Sequence, residues 1–245
     1  MNRSFLNITG YRFVALPDAH ALRDRLFHLA ERAGLKGTVL LAEEGLNLCL
    51  AGPPDGMADR LAALRDDGRF ADLAVKDSWS DTQPFKRQKV KLKREIIRMH
   101  HTTVRPAAGR APVVAAAKLA RWIGQGHFDA GRPIKLLDTR NDFEVDAGLF
   151  DGAVDWRLRK FSDFPAALAA YRAELTGHTV VSYRAGGIRC EKAALQMQAV
   201  GLGHSVQLEG GILQYFKDTA GQATGWRGKC FVFDGRVGLD TALQG

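Results

Sequence analysis

A strand, a glycine-containing loop and a helix follow one another in residues 179–200, and this order restricts the fold of the second half of the chain. Residues 179–183 are a short apolar run, and 190–200 have helical spacing. Further short strands are predicted at 134–138 and 205–208. Strands that alternate with helices predict a parallel, doubly wound sheet. The second half is therefore expected to be an α/β domain whose site lies at the carboxyl ends of the strands.

The loop between that strand and that helix has the composition of an anion-binding turn. Its residues are Arg184, Ala185, Gly186, Gly187, Ile188 and Arg189. Paired glycines let the backbone turn sharply and point several N–H groups to one place, and the following helix adds the positive end of its dipole. Arg189 contributes a permanent positive charge. The alternative is an ordinary strand-to-helix turn, which a Gly–Gly pair by itself would favour.

Several other segments, taken together with this loop, resemble a rhodanese domain. They are Leu137-Asp138-Thr139-Arg140, Phe143-Glu144, Gly148 and Leu208-Glu209-Gly210-Gly211-Ile212. The run Gly-Gly-Ile-Arg-Cys-Glu-Lys-Ala at 186–193 is similar to the bacterial tRNA uridine hydroxylase family, in which a basic N-terminal domain precedes the rhodanese domain. Two more segments match that family: Ala42-Glu43-Glu44-Gly45-Leu46-Asn47 and Phe231-Val232-Phe233-Asp234. The resemblance spans nearly the whole chain, which is similar to the short members that lack a cysteine-rich tail.

The resemblance implies tRNA modification, namely oxygen-dependent 5-hydroxylation of the wobble uridine. Molecular oxygen would be a co-substrate, and no cofactor is evident in the sequence. Arg184, Arg189 and, as a weak candidate, Cys190 are the residues assigned to catalysis, and 185–189 form the anion-binding loop. Asp138 and Arg140 are expected to support that loop.

The loop departs from the family at its first positions. Rhodanese loops begin with a cysteine that forms a persulfide, whereas this chain has Arg184 there, followed by Ala185 where threonine is usual. A guanidinium cannot become a thiolate or carry sulfur, so sulfur transfer by the standard route is not expected. Either Arg184 joins Arg189 in a phosphate-binding loop, or it folds outward and leaves the loop empty.

The three cysteines give little support for a replacement nucleophile. Cys190 starts a helix, where the dipole favours a thiolate, but a buried packing role against the sheet is the preferred interpretation. Cys49 is expected in the core, and Cys230 has no assigned role. Three functions therefore stay open: the hydroxylase, a catalytically inactive rhodanese-like module that binds tRNA or another anion, and a sulfurtransferase that uses Cys190.

The first half of the chain predicts a ferredoxin-like βαββαβ domain with one extra strand at its end. The predicted strands are 6–16, 36–41, 46–51, 71–80 and 85–99, and the predicted helices are 19–33 and 57–64. The expected organisation is a basic ferredoxin-like domain at 1–104, a linker at 105–114, a rhodanese-like domain at 115–222 and a C-terminal extension at 223–245. The linker assignment depends on two prolines in a stretch without periodicity.

The last strand of the first half is strongly basic and is the candidate RNA-binding segment. Its candidate residues are Lys86, Arg87, Lys89, Lys91, Lys93 and Arg94. Alternate residues of a strand share a face about 7 Å apart, a spacing that suits a phosphate backbone. The formal net charge of +8, most of it before residue 111, also favours a polyanionic partner. The alternative is a solvated edge strand that lysines protect from aggregation.

Other totals narrow the class of protein. Apolar residues make up 46% of the chain and charged residues 25%, which is ordinary for a globular protein. No apolar run approaches the roughly 18 residues of a membrane span, and no signal peptide is evident, so no membrane is expected. The cysteines have no metal-binding spacing. A cytoplasmic protein without a disulfide framework or a metal site is the expectation.

Overall fold

The computed structural model describes residues 4–100, 109–233 and 237–244. The chain forms two compact units, Met1–Ile97 and Arg98–Gly245. Within the described residues, no helix is both long and apolar enough to cross a lipid bilayer.

The first unit is a five-stranded sheet with two helices. In chain order its elements are β1 (Phe5–Phe13), α1 (Ala19–Arg32), β2 (Lys36–Ala42), β3 (Gly45–Gly52), α2 (Pro54–Arg65), β4 (Val75–Ser80) and β5 (Gln88–Leu92). The strand order is β4-β1-β3-β2-β5. The pairs β1–β3, β1–β4 and β2–β3 are antiparallel, and β2–β5 is parallel. The ferredoxin-like expectation, with one extra strand after the βαββαβ pattern, is confirmed.

The core of this unit lies between the helices and one face of the sheet. The inward face of α1 buries Leu22, Leu26 and Ala30, which recur at the spacing of an amphipathic helix. They pack in one cluster with alternate strand residues such as Val39 and Leu48. The alternation places the intervening side chains, both polar and apolar, on the opposite face of the sheet.

Three of the predicted strands are shorter in the structure, and the first of them, predicted at 6–16, ends at Phe13. The strand predicted at 71–80 begins at Val75. A short 3-10 helix at Gly68–Phe70 precedes it, and the side chain of Asp67 accepts a hydrogen bond from the amide of Arg69 at the start of that helix. The strand predicted at 85–99 covers only Gln88–Leu92. It pairs with β2 from Gln88 opposite Gly37 to Leu92 opposite Leu41, and a further backbone bond runs from the amide of Lys93 to the carbonyl of Leu41.

The second unit contains a four-stranded parallel sheet. Its elements are β6 (Val113–Val114), α3 (Ala116–Gln125), β7 (Ile134–Asp138), α4 (Asp142–Val145), β8 (Gly148–Phe150), α5 (Phe164–Tyr171), β9 (Thr179–Tyr183), α6 (Ile188–Ala199), β10 (Ser205–Leu208), α7 (Gly211–Asp218), β11 (Trp226–Gly228), β12 (Cys230–Phe231) and β13 (Gly238–Leu239). The sheet order is β6-β10-β9-β7, and all pairs in it are parallel. The predicted rhodanese-like α/β class is confirmed.

The predicted linker, 105–114, needs a correction at its end. Val113 and Val114 form β6 and pair with Gln207 and Leu208, so these two residues belong to the sheet of the second unit. The pairing satisfies backbone groups that a linker would leave to water. Residues 105–108 of that prediction lie outside the described residues.

The predicted C-terminal extension, 223–245, is integrated into the second unit rather than appended to it. Strand β11 pairs antiparallel with β8, and β12 pairs with β13. Trp226 packs edge-to-face on Phe150 at 5.1 Å between ring centroids, and Cys230 is fully buried in the same core. The segment therefore contributes side chains to the core of the unit.

Candidate active-site loop

Residues 184–187 connect β9 to α6 at the carboxyl edge of the parallel sheet. Gly187 has a φ of +95°, in the left-handed region that glycine adopts without strain, and the helix begins at the next residue. The turn is therefore as tight as the sequence predicts. Loops at this edge of a parallel sheet are where α/β proteins form their sites.

The loop is held from one side by the start of α7. The amide of Ile212 donates a 2.8 Å hydrogen bond to the carbonyl of Arg184. A Cβ at Gly211 would lie 2.3 Å from the same carbonyl oxygen, so only glycine allows the two backbones to approach this closely. The Gly210-Gly211-Ile212 segment thus fixes the position of the loop.

Arg184 is half-buried and folds back over its own loop. Its Nη1 atom lies 3.9 Å from the position that a Cβ on Gly186 would occupy. Of the two arrangements that the sequence left open, the outward one is not what the structure contains. The guanidinium of Arg184 stays beside the glycines whose amides were expected to bind an anion.

Arg189 has a carboxylate partner that the sequence did not reveal. Its Nη1 donates a 2.6 Å hydrogen bond to Oε2 of Glu144, whose side chain is fully buried. The same Oε2 accepts a hydrogen bond from the amide of Asn141, which forms a capping box at the start of α4. The charge of Arg189 is therefore balanced by a buried carboxylate.

Asp138 and Arg140 form a second buried ion pair at the end of β7. The guanidinium contacts both carboxylate oxygens, with 2.6 Å between Nη2 and Oδ2. It also donates to the carbonyls of Glu144 and Gly148, which ties the end of β7 to α4 and β8. Burial lowers the pKa of Arg140, but the hydrogen bonds and charge of Asp138 outweigh it and raise that pKa above its ordinary value.

Two cysteines lie buried behind the loop. Cys190 is fully buried on α6, with its Sγ 3.5 Å from Oγ1 of Thr139, which in turn donates to the carbonyl of Tyr183. This placement agrees with the packing interpretation of Cys190. Cys230 is also fully buried, and burial raises the pKa of its thiol to about 12.

Cys230 is the residue near the loop that sequence reasoning missed. The charges of Arg140, Glu144, Asp138 and Arg184 all act on its thiol, which places it among the ion pairs that support the loop. Its distance along the chain from Arg184 hid this proximity. The one available signal was the match of the Phe231-Val232-Phe233-Asp234 segment to the family.

The basic strand of the first unit presents its cations to solvent. All six candidate residues are exposed: Lys86, Arg87, Lys89, Lys91, Lys93 and Arg94. Lys89 pairs across with Thr38, and Lys91 with Leu40, on the face opposite the core, which Val90 and Leu92 help to form. Lys89, Lys91 and Lys93, here called the lysine row, thus share one face of an edge strand.

Two aromatic residues close in sequence to Arg157 and Arg159 pack against other aromatic rings of the second unit. Phe161 is buried and stacks on Phe164, and Trp156 packs against Phe164 and Tyr171. In the described ranges 4–100, 109–233 and 237–244, no group of three or more histidine, cysteine, aspartate or glutamate side chains could hold a metal ion.

Fold and loop together define a two-unit protein with a ferredoxin-like first unit and a rhodanese-like second unit. Residues 5–96 match the UPF0176 acylphosphatase like domain. The chain is also similar to a solved protein of Saccharomyces cerevisiae, described as a homologue of single-domain rhodanese and the Cdc25 phosphatase catalytic domain. The match covers 48% of this chain and 87% of the yeast chain, with 18% sequence identity and a TM-score of 0.39.

Curated relatives match over almost the full chain. A tRNA uridine(34) hydroxylase of Variovorax paradoxus is 58% identical over 99% of this chain and 91% of its own length. The protein of that name from Bordetella avium is 56% identical over 98% of this chain and 99% of its own length. The chain belongs to the tRNA uridine(34) hydroxylase family.

Proposed function

We propose that the protein hydroxylates the wobble uridine, position 34, of tRNA at C5, with molecular oxygen as co-substrate. The observation that carries this proposal is the identity of 54–59% to relatives named for that reaction, over 97–99% of the chain. Both units fall within the matched length, so the proposal covers substrate binding as well as chemistry.

The reaction replaces the hydrogen on C5 of uracil with a hydroxyl group. One oxygen atom of O₂ enters the base, and the other leaves as water. This balance requires two electrons and two protons from an external two-electron donor. The part of the reaction that we assign to the chain's own residues is therefore binding and orientation of the uridine.

The lysine row supports tRNA as the substrate. Exposed lysines along one strand displace counterions from phosphates, and this contact is independent of sequence. Lys86, Arg87 and Arg94 extend the same basic segment at both ends. We assign to this strand the phosphate contacts that hold the tRNA.

At the loop, Arg184 and the backbone amides of 185–189 would bind an anionic group. Their partial charges add to the dipole at the start of α6. The ligand proposed here is a phosphate beside nucleotide 34 or the electron-rich carbonyl edge of its uracil. The buried Asp138–Arg140 pair would keep the loop in the binding geometry.

The test is to delete the gene in its host and to measure 5-hydroxyuridine in purified tRNA by mass spectrometry. We expect the nucleoside to disappear and to return with the wild-type gene. Cells grown under ¹⁸O₂ should carry the label on C5 of that nucleoside. Unchanged 5-hydroxyuridine in the deletion strain, or oxygen that derives from water instead, contradicts the proposal.

A second candidate function is tRNA binding without catalysis. The observation that favours it is Arg184, which occupies the position of the rhodanese cysteine. Labelled hydroxyuridine that depends on the gene decides against this candidate. Tight tRNA binding with no gene-dependent hydroxyuridine decides for it.

The third candidate, sulfur transfer by Cys190, has less support because the thiol is fully buried. Incubation with thiosulfate labelled in its outer sulfur tests it. We expect no label on the protein. Label on Cys190, with turnover lost in Cys190→Ser, would establish that activity instead.

A further inference from the structure

Three phenylalanine rings, two of them exposed and one half-buried, form a group on the second unit. Phe143 lies 5.2 Å from Phe231 and 6.2 Å from Phe233, and the last two are 5.2 Å apart, measured between ring centroids. The interplanar angles are 83°, 89° and 77°, so each pair is edge-to-face. We call Phe143, Phe231 and Phe233 the phenylalanine cluster.

The exposure of this cluster is unusual for the chain. Phe143 is 45% and Phe233 52% exposed, whereas other phenylalanines of the same unit, such as Phe150 and Phe216, are buried in the core. Contiguous apolar surface of this kind marks a binding surface in a folded protein. Because the rings stand perpendicular to one another, the cluster cannot cover all of its own ring faces, and flat faces remain for a ligand.

The cluster lies beside the loop. Phe143 stands next to Glu144 in α4, and Glu144 bonds Arg189 in the first turn of α6. Phe231 directly follows Cys230, whose thiol is influenced by the charge of Arg184. Two independent chain segments thus bring aromatic rings to the side of the loop that Glu144 and Cys230 line.

Exposed cations border the cluster. The amide of Asp142, the residue before Phe143, donates to the carbonyl of Leu158, which brings the exposed Arg159 to the same edge of α4. Lys229, also exposed, precedes Cys230 on the other segment. Flat apolar faces with basic residues at the border complement an unpaired nucleotide, whose base stacks and whose phosphate is anionic.

We infer that the phenylalanine cluster is a base-stacking surface for an unpaired nucleotide next to the one held at the loop. A uridine of a tRNA anticodon loop is unpaired, and its neighbours are too, so stacking one neighbour would place the target base at the loop. The identity of this RNA depends on the proposed function, whereas the stacking surface follows from the cluster itself. Phe143 and Phe233 supply the ring faces, and Phe231 supports them.

The test compares RNAs that differ in bases but not in phosphates. The probes are an anticodon stem–loop, the same stem–loop with abasic loop nucleotides, and a paired duplex with an equal number of phosphates. The variants are Phe143→Leu/Phe233→Leu, which keeps apolar bulk without an aromatic face, and Phe143→Tyr/Phe233→Tyr, which keeps the face. Tyr171→Leu is the matched control, since Tyr171 is 48% exposed and belongs to a different aromatic group.

We expect the leucine variant to bind the stem–loop about tenfold more weakly than wild type, because base–aromatic stacking contributes at this level. Its affinity for the duplex and the abasic loop should equal that of wild type, and the tyrosine variant and Tyr171→Leu should bind all three RNAs as wild type does. Unchanged stem–loop affinity in the leucine variant overturns the inference. An equal loss for all three RNAs does so too, because the effect is then not stacking.

A changed oligomeric state with unchanged stem–loop affinity would show that the cluster joins two copies of the chain, and it also overturns the inference. Wild-type protein that binds none of the RNAs overturns both this inference and the proposed substrate. Wild-type protein that discriminates the stem–loop from its abasic form, in a strain whose tRNA lacks gene-dependent 5-hydroxyuridine, contradicts only the proposed activity.

Discussion

In the first unit the candidate cations lie exposed along β5, whereas in the second unit most cations around the loop are buried against carboxylates. The lysine row is exposed along β5, and its charge extends into solvent. Arg189 and Arg140 each contact a fully buried carboxylate, of Glu144 and Asp138 respectively. Exposed charge attracts a polyanion over the Debye length of about 10 Å, whereas buried and paired charge fixes geometry.

The difference indicates a division of work within one basic chain. The first unit is suited to attract tRNA with little regard to sequence, because phosphates are alike at every nucleotide. The second unit is suited to hold one nucleotide, because its polar groups are locked in place before the ligand arrives. Substitutions of the same residue type should therefore have unlike consequences in the two units.

The largest effect on stability is expected at Arg140. Arg140→Ala leaves Asp138 buried and unpaired and removes donors from two backbone carbonyls, so the second unit should lose about 3–5 kcal/mol of unfolding free energy. Hydrogen exchange resolved by peptide measures this loss in the second unit alone. Arg157→Ala is the control, since its pair with Asp146 is exposed and should contribute far less to stability than the buried pair. Equal losses in the two variants would contradict the distinction between buried and exposed pairs.

Reversal of the charges in the lysine row should weaken tRNA binding and leave the stability of the first unit unchanged. We expect Lys89→Glu/Lys91→Glu/Lys93→Glu to bind tRNA about 100-fold more weakly at moderate salt, with a shallower salt dependence, because three phosphate contacts are lost. Filter binding over a salt series measures both quantities.

The matched control is Arg23→Glu/Arg25→Glu/Arg32→Glu on α1. It changes the net charge by the same amount, but on the helical side of the sheet. This control should bind within a few-fold of wild type. If both triple variants lose affinity equally, net charge and not the lysine row accounts for tRNA binding.

Arg184→Cys tests whether the loop of the second unit binds an anion through this residue. Removal of the Arg184 guanidinium should weaken sulfate binding about tenfold, in line with a charge-assisted hydrogen bond of roughly 1.5 kcal/mol. The new thiol should react with iodoacetamide in the folded protein, whereas the buried Cys190 and Cys230 should not. Calorimetry with sulfate and mass spectrometry of the alkylated protein report the two effects. Sulfate affinity equal in wild type and variant would remove Arg184 from the anion site.

The smallest effect is expected at an exposed pair of the second unit. The hydrogen bond from Lys118 lowers the pKa of Asp129 to about 2, with a further contribution from the indole N–H of Trp122. A carboxyl whose pKa is lower in the folded state stabilises it above the unfolded pKa of 3.8, and this contribution is lost as pH falls towards 2. Asp129→Asn should therefore be slightly less stable than wild type at pH 5, and the difference should vanish near pH 2 in urea unfolding. A difference that grows as the pH falls would contradict this assignment.

The local pattern of apolar and polar residues was sufficient to predict the strands of both units. Strands at 134–138, 179–183 and 205–208 match Ile134–Asp138, Thr179–Tyr183 and Ser205–Leu208, because a short apolar run between polar turns has few other ways to be buried. The face of the lysine row also followed from the alternation of residues, since a strand places every second side chain on one side. Where a strand ends did not follow, because the extent of β5 depends on its pairing with β2, a separate segment.

The amino-acid order alone thus established the two α/β units, the tight loop at 184–189 and the arginine at its head. Only the tertiary structure decided which charged residues around that loop form ion pairs. Arg189 pairs with Glu144 across 45 residues, Cys230 lies among the same ion pairs, and Phe143 meets Phe231 and Phe233 from a distant segment. Such contacts depend on how α4, α6 and β12 pack, and sequence spacing does not encode distances between elements that are brought together only by folding.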